Sequence, residues 1–494
     1  GVLASRQLRA LAHITRKYDR GSGHFSTRQN LQLNWPRLED VPEILAELAT
    51  VQMHAIQTSG NCIRNVTTDH FAGVAADEIV DSFVWCELLR QWSTFHPEFN
   101  YLPRKFKIAV NGAEHDRAAV AVHDIGLHAR RNAAGEVGFA VLAGGGLGRT
   151  PLIGKTLREF LPWPHLLTYV EAILRVYNRW GRRDNIYKAR IKILLKEWGF
   201  ERFRDAVEAE WAHLKDGPAT LTGAQIEAVE ARFTRPAYET LPDETLPASG
   251  WFGRNVHPHK VPGYAAVTLS LKKTGVPPGD ATAAQMDAIA DLADRYSFGE
   301  LRVSHEQNII LADVRQRDLG RLWAEAKALG LATPNIGLIT NIISCPGGDF
   351  CALANAKSIP VAEAIQRRFD DLDYQHDIGE LDLNISGCMN ACGHHHVGHI
   401  GILGVDKNGE EWYQVEIGGA QFPAALGKVI GPAFARADVP GVIEKLIGRY
   451  LAERDSEAER FVDVVHRIGV EPFKESVYGQ AHQKPASRRE PALA

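Results

Sequence analysis

Cysteine is scarce, with six in 494 residues, at positions 62, 86, 345, 351, 388 and 392. That number excludes a disulfide-dense secreted scaffold, and a core of this size needs no disulfide staples. An excess of one charge is missing too. The 56 basic and 60 acidic residues leave a net charge of −4, which gives no electrostatic footprint for a nucleic-acid partner. No apolar run approaches the ~18 residues needed to cross a bilayer. The best candidate, Leu166 to Tyr177, is short and carries Glu171 and Arg175, so no membrane span is expected. No basic start followed by an apolar run supports secretion, and a cytoplasmic location is expected. Because Gly1 is not a Met, residues are expected ahead of it. With 45% hydrophobic and 23% charged residues, the chain otherwise has an ordinary globular composition and the length of several domains.

What is present is a duplication. Slid on itself by 278 positions, the stretch from Gly1 lies over the stretch from Gly279. Gln7 meets Gln285, Tyr18 meets Tyr296, Ser26 meets Ser304, and Gln29 with Asn30 meets Gln307 with Asn308. After a slip of two residues, Ile63, Arg64 and Asn65 lie over Ile339, Thr340 and Asn341. A period this long means two copies of a whole domain pair, because solenoid repeats run at roughly 20–50 residues. A pseudo-twofold molecule with a site where the halves meet is expected.

Each copy opens with a helical pattern, on Leu8, Leu11 and Ala12, and on Met286, Ile289 and Ala290. A strand is predicted over Leu31, Leu33 and Trp35, and another from Tyr264 to Leu271, whose counterpart would precede Gly1. Thr156 to Leu214 reads as helical, and Pro236, Pro242 and Pro247 punctuate a linker. The expected segments are 1–70 and 251–335 (two similar halves), 71–235 and 336–478 (the domains that follow them), the linker 236–250, and a disordered tail 479–494.

Four of the six cysteines form tight pairs, Cys345 with Cys351 in SCPGGDFC and Cys388 with Cys392 in SGCMNACG. Two such pairs can surround a zinc ion or an iron–sulfur cluster. The five-residue spacer and the flanking Gly347, Gly348, Gly387 and Gly393, which let backbone approach a bulky inorganic group, favour the cluster. Cys62 and Cys86 have no partner at ligand spacing and read as small buried hydrophobes. A second metal on His394, His395 and His396 is disfavoured, since consecutive residues cannot all aim at one ion from regular structure. Hydrogen bonding to an anionic cofactor is the better reading of that tract.

The copies divide the chemistry. Arg28 in STRQN faces Glu306 in SHEQN, and Arg64 in NCIRN faces Thr340. The first half alone carries Arg104, Lys105 and Lys107 in LPRKFK, with both lysines on one face of a predicted strand. A lone Arg reads as a solvated charge. The set at matched positions reads as a site that binds and protonates a small oxyanion, with lysine pKa values depressed by neighbouring cations. The turn GGGLG, Gly144 to Gly148, fits neither a phosphate loop nor a dinucleotide fingerprint, because both need a glycine where Arg149 stands. As a Gly-rich turn at a helix start it could still cradle cofactor carboxylates.

Taken together, STRQNLQL, SGNCIRNV, LPRKFK, GGGLGRTP, GRRDNIYKARIK, SCPGGDFC and SGCMNACG give a chain that resembles the sirohaem- and [4Fe–4S]-containing sulfite and nitrite reductases, from Gly1 to about Gly469. The resemblance implies an internally duplicated α+β fold: two ferredoxin-like half-domains plus two α/β sirohaem/Fe–S domains with pseudo-twofold symmetry. It implies a [4Fe–4S] cluster on Cys345, Cys351, Cys388 and Cys392, with Cys392 shared as the axial ligand of sirohaem. Arg28, Arg64, Lys105 and Lys107 would surround the oxyanion. Arg104, Gly145, Gly146, Arg149, Asn390 and His394 would contact the cofactor. Sulfite-reducing members tend to carry Lys-x-Lys in the LPRKFK stretch and nitrite-reducing ones Asn at the second position, so Lys107 points to an assimilatory sulfite reductase haemoprotein, with nitrite reductase as the alternative. The chain departs from the family in having His394 where Arg is common and Met389 where Pro is common. A precorrin-modifying oxygenase is a further reading, against which the full basic set argues, and a zinc-stapled or electron-transfer protein without enzymatic activity is another. With no flavin or nicotinamide segment, electrons would come from a ferredoxin or a separate flavoprotein.

Overall fold

The computed structural model describes residues 1–479. Of the tail expected from Gly479, residues 480–494 lie outside the described residues. The two matched helical patterns are helices Ser5–Tyr18 and Ala283–Tyr296, and their apolar faces pack against each other. Leu8, Ala12, Met286, Ile289 and Ala290 are all fully buried there, each larger side chain contributing on the order of 1.5–3 kcal/mol.

The strand ahead of each helix crosses to the other copy. Val2–Ala4 pairs antiparallel with Glu300–Val303, and Asp280–Thr282 pairs antiparallel with Ser22–Phe25. One sheet therefore runs Val2–Ala4, Glu300–Val303, Ile309–Arg315, Tyr264–Leu269, Val256–Pro258, and the other Asp280–Thr282, Ser22–Phe25, Leu31–Gln32. The strand predicted from Tyr264 is present and entirely buried. The one predicted over Leu31 to Trp35 stops at Gln32. Among the described residues no strand lies beyond it to take its hydrogen bonds, and Trp35 is 40% exposed beneath the Arg20 guanidinium.

Two α/β domains repeat one design. In the first, Thr67–Thr68, Ile108–Asn111 and Ile125–Arg131 are parallel, and Val137–Ala143 and Lys155–Pro162 complete the sheet antiparallel. In the second, Ile343–Ser344, Leu383–Ser386 and Ile400–Lys407 are parallel, and Glu410–Ile417 and Lys428–Val429 complete it. Each has its own core, between Ile63 and Val229 in the first and between Ile339 and Phe473 in the second. The helical reading of Thr156 to Leu214 is corrected here, because Lys155–Pro162 is an edge strand and helices begin only at Leu166. The buried Leu157 and Leu161, four residues apart, satisfy a helical spacing as well as one face of a strand, and here they lie on a strand whose register breaks opposite Val141. Residues 59–70, expected to close the first half, instead carry Ile63 and strand Thr67–Thr68 into the α/β unit. Residues 236–250 strap the outside of the second ferredoxin-like half: Tyr238 Oη donates to Asp313 at 2.6 Å, and Glu239 meets Arg315 and Arg317. Among the described residues no helix is long and apolar enough to cross a membrane.

Candidate active site

The matched turns build the frame. Gln29 (φ 59°) and Gln307 (φ 64°) both sit in the left-handed region, and each aims its amide at a strand of its α/β domain. Gln29 brackets Thr68, donating to its carbonyl at 2.9 Å and accepting from its N–H at 3.2 Å. Gln307 brackets Ser344 in the same way, at 2.8 Å each. Asn30 and Asn308 reach Asn65 and Asn341. Between these shared contacts the chemistry diverges. Arg28 donates to Thr67 Oγ1, to the carbonyl of Asn65 and, at 2.9 Å, to His123 Nε2. His123 must accept there, since its Nδ1–H is given to the Ala119 carbonyl at 2.8 Å. Burial, opposed by Asp124 and aided by Arg64 and Arg190, lowers the Arg28 pKa to about 10. Its counterpart Glu306 accepts from Asn341 Nδ2.

Lys105 and Lys107 flank Phe106, which is buried and bridged to Ile63. The regular strand begins only at Ile108, yet the extended backbone still puts both lysines on one side, as expected. They line a small inner cavity of about 20 Å³ with His123, Arg190, Asn390 and His394. A larger cavity of about 670 Å³, in the size range of cofactor pockets, shares Lys105, Arg190 and Asn390 with it and adds Arg104, Arg149, Lys188, Lys192 and Lys196 against one carboxylate, Glu197. Burial is the first cause that pushes Lys107 well below the ordinary lysine value, followed by Arg28 and Lys105. For Lys105, burial is followed by Arg190.

Two side chains at this wall were not singled out from the sequence. Arg190 lies bidentate on the buried Asp124, at 2.7 and 2.8 Å, and Asp124 also accepts the Lys107 backbone N–H at 2.7 Å. Lys192 donates to the carbonyls of Gly146, Leu147 and Thr150 and so holds the GGGLG turn. Both lie in GRRDNIYKARIK, where a run of cations was the only signal. Arg64 turns its guanidinium to the carbonyls of Thr58 and Gly60 and lines neither cavity.

The expected helix start after GGGLG is corrected as well: the turn leads through a bridge between Gly146 and Leu152 into strand Lys155–Pro162. Gly145 packs on the backbone of Ala121 and His123, and a methyl group at Gly146 would meet Arg190. The cavity is lined instead by Leu147, Gly148, Arg149 and Thr150.

The cysteine loops face this wall from the other half. A methyl group at Gly347 would strike Ser358, one at Gly387 the carbonyl of Ala356, and one at Gly393 the carbonyl of Ile385, so these glycines permit the close approach of the two loops. The Gly387 N–H donates to Cys345 Sγ at 3.2 Å, and burial pushes the Cys345 thiol up to about 11. Cys388 is buried and Cys392 exposed. Met389, Asn390 and Ala391, between them, line the cavities. Thr27 Oγ1, next to Arg28, donates to the Cys392 carbonyl at 2.8 Å and ties the basic half to the cysteine half. Outside these loops, Cys86 packs against the first α/β core and burial raises its thiol to about 12, while Cys62 donates to the Ser59 carbonyl.

The four thiols of the two loops are a donor set that suits an iron–sulfur cluster. The excess of cations suits a cofactor rich in carboxylates. His394 adds a buried Nδ1 with no hydrogen-bond partner, and burial with Lys107 and His305 holds its ring neutral.

Fold and site together define an iron–sulfur oxidoreductase on a duplicated scaffold, with a basic cofactor cavity between its halves. Comparison with known proteins agrees. The nitrite and sulphite reductase 4Fe-4S domain matches residues 59–215 and 337–485, and the nitrite/sulfite reductase ferredoxin-like half domain matches 1–51 and 257–329. The chain belongs to the nitrite and sulfite reductase family. It is 31% identical to the ferredoxin–nitrite reductase of Synechococcus elongatus, over 90% of this chain and 84% of that one. To a sulfite reductase [ferredoxin] of Mycobacterium tuberculosis it is 28% identical, over 94% and 80%. The solved structure of the Mycobacterium tuberculosis NirA protein superposes with a TM-score of 0.79 at 27% identity, covering 96% of this chain and 83% of that one.

The enzyme is therefore a sirohaem-dependent oxidoreductase whose cofactors are sirohaem and a [4Fe–4S] cluster. The readings as a precorrin-modifying oxygenase and as a protein without enzymatic activity fall away.

Proposed function

We propose that this protein is an assimilatory sulfite reductase haemoprotein that reduces sulfite to sulfide with electrons delivered by a ferredoxin. The observation that carries the reading is the pair Lys105 and Lys107, both on the inner cavity beside His123 and Arg190. Two ammonium groups suit a dianion with three oxygens better than a monoanion with two. The names of relatives that use ferredoxin support that donor over a separate flavoprotein.

When bound, the cluster and sirohaem supply stored electrons and an iron that takes the substrate. Cys345, Cys351, Cys388 and Cys392 would hold the cluster, and Cys392 would also serve the sirohaem. Arg104, Arg149 and Asn390 would contact the cofactor, and Gly145 and Gly146 would shape the turn that carries Leu147 to Thr150 to the cavity. The chain's own part is to bind the oxyanion, exclude water and deliver protons. Arg28, steadied by neutral His123, offsets charge on the oxyanion, and Arg64 adds to the field at longer range. Lys107, whose ammonium is made more acidic by burial and by Arg28 and Lys105, gives up a proton from Nζ as a substrate oxygen leaves as water. Neutral His394, whose Nδ1 has no hydrogen-bond partner, lines the same space.

Nitrite is the second reading, favoured by the 31% identity to a nitrite reductase. The test is kcat/KM for sulfite and for nitrite on cofactor-loaded protein with an artificial low-potential reductant, repeated with reduced ferredoxin. A clear preference for sulfite is expected. A preference for nitrite would overturn the substrate assignment and leave the family intact.

A further inference from the structure

His394–His396 does more than border the cavity. His395–Val397 is a single 3-10 turn entered from His394 in the left-handed region (φ 58°). It brings the rings of His395 and His396 to 3.9 Å between centroids. Consecutive histidines therefore do converge, and they converge on Glu416 of strand Glu410–Ile417. Glu416 Oε1 lies 2.8 Å from His396 Nδ1 and 3.6 Å from His395 Nε2. His395 and Glu416 are buried and the His396 side chain is 12% exposed, and none of the three lines the cavities of the active site.

The polar bookkeeping of this cluster does not close with protein atoms. Neither ring nitrogen of His395 has a hydrogen-bond partner, and neither has Glu416 Oε1. His396 Nε2 is 3.1 Å from the carbonyl of Gly148. A carbonyl only accepts, so Nε2 carries the hydrogen, and in the neutral ring Nδ1 presents a lone pair to a carboxylate oxygen 2.8 Å away. Two acceptors at that distance repel unless positive charge lies between them. A proton on His396 would answer that contact but leave His395 with two orphaned nitrogens in the interior, desolvated with nothing in exchange.

The duplication shows that the fold does not require these groups. Gly401 pairs with Glu416 as Gly126 pairs with Leu142. A methyl group on Gly401 would strike the His395 carbonyl, as one on Gly126 would strike the Val120 carbonyl. His395, His396 and Glu416 thus occupy the places of Val120, Ala121 and Leu142. One copy fills the position with apolar side chains, and the other with two imidazoles and a carboxylate.

We propose that His395, His396 and Glu416 bind a divalent first-row transition ion, zinc in the cell, at a site separate from the cysteine loops. Bonds of about 2.1 Å in a tetrahedron hold ligand atoms about 3.4 Å apart, between the two separations seen here. Two imidazoles and a carboxylate are a ligand set that suits zinc. The hydrogen bond from His396 to Gly148 is the outer contact that commonly fixes a ligating imidazole. Through it, the ion on the second α/β domain would steady the turn of the first that lines the cofactor cavity.

The inference is independent of the sulfite assignment. Its test is metal analysis and zinc-edge X-ray absorption of the holoenzyme from zinc-supplemented cells. About one zinc per chain is expected beside the iron, with a shell of nitrogen and oxygen only at about 2.0–2.1 Å and imidazole outer scattering. The variant His395→Val/His396→Ala/Glu416→Leu, which imports the apolar set of the first copy, should lose the zinc and keep its iron content and visible spectrum. If that variant fails to fold, His395→Gln is measured instead, with at least tenfold weaker zinc retention against a chelator expected. Zinc absent from the wild type, zinc bound through sulfur, or zinc retained by the variants would overturn the proposal.

Discussion

The turn at residues 26–30 and its mirror at 304–308 are the same object put to different uses. Both hold a left-handed Gln that brackets a strand residue, and both follow it with an Asn that reaches a second Asn. Around Glu306 the mirrored place is closed by hydrogen bonds within the protein: Thr340 to Gln375 at 2.7 Å, Asn335 to Thr340 at 3.1 Å, and Lys272 to Gln307 at 3.4 Å. Around Arg28 the corresponding place backs onto His123, which lines the small inner cavity with Lys105 and Lys107. The frame is carried by amides that repeat, and the chemistry by one or two positions that do not. A duplicated protein can thus keep one site and retire the other without loosening either.

The largest effect should come from the cysteines. Cys388→Ser should abolish the cluster and both sulfite and nitrite turnover, seen as lost iron and lost visible absorption, whereas Cys86→Ala should keep both and cost about 1 kcal/mol of stability. Next, Arg28→Glu, which imports the residue of the mirrored turn, should lower kcat/KM by about 10²-fold or more, and Glu306→Arg should leave it unchanged. Equal losses in these two would mean that both turns face substrate. Lys107→Asn should weaken sulfite turnover more than nitrite turnover, by about tenfold in the ratio of kcat/KM.

The pH profile sharpens the same point. If Lys107 is the proton donor proposed above, it acts protonated with a depressed pKa, so activity should fall as pH rises through a limb below the ordinary lysine value of about 10.4. Lys107→Arg should move that limb to higher pH. The smallest effects should be Gln29→Ala and Gln307→Ala, each costing about 1–3 kcal/mol by stranding a buried backbone pair. Matching shifts in Tm would establish the two clamps as equivalent, and a much larger shift in one would break the symmetry.

Much of this was readable from residues alone. The helix faces, the register that stacks Asn65 over Asn341, and the glycines that let the cysteine loops meet all follow from local pattern. What escaped has a physical cause in each case. The pairing of Arg190 with Asp124 spans 66 residues and that of Thr27 with Cys392 spans 365, and no periodicity announces such contacts. The helical period of Leu166 to Tyr177 was carried back over Lys155–Pro162, and the Gly-rich turn was given a helix where an edge strand follows. Consecutive histidines were judged unable to converge because regular structure was assumed, and a left-handed entry into a 3-10 turn undoes that assumption.

The exchange of leading strands has a bearing on how such a molecule can change over time. Since Val2–Ala4 belongs to the sheet of the second copy and Asp280–Thr282 to that of the first, neither copy owns a finished ferredoxin-like layer. A gene fragment encoding one copy alone would make a protein with an open sheet edge, ready to pair with another of its kind. The single chain has the geometry of a strand-swapped dimer, with cations on one half and thiols on the other.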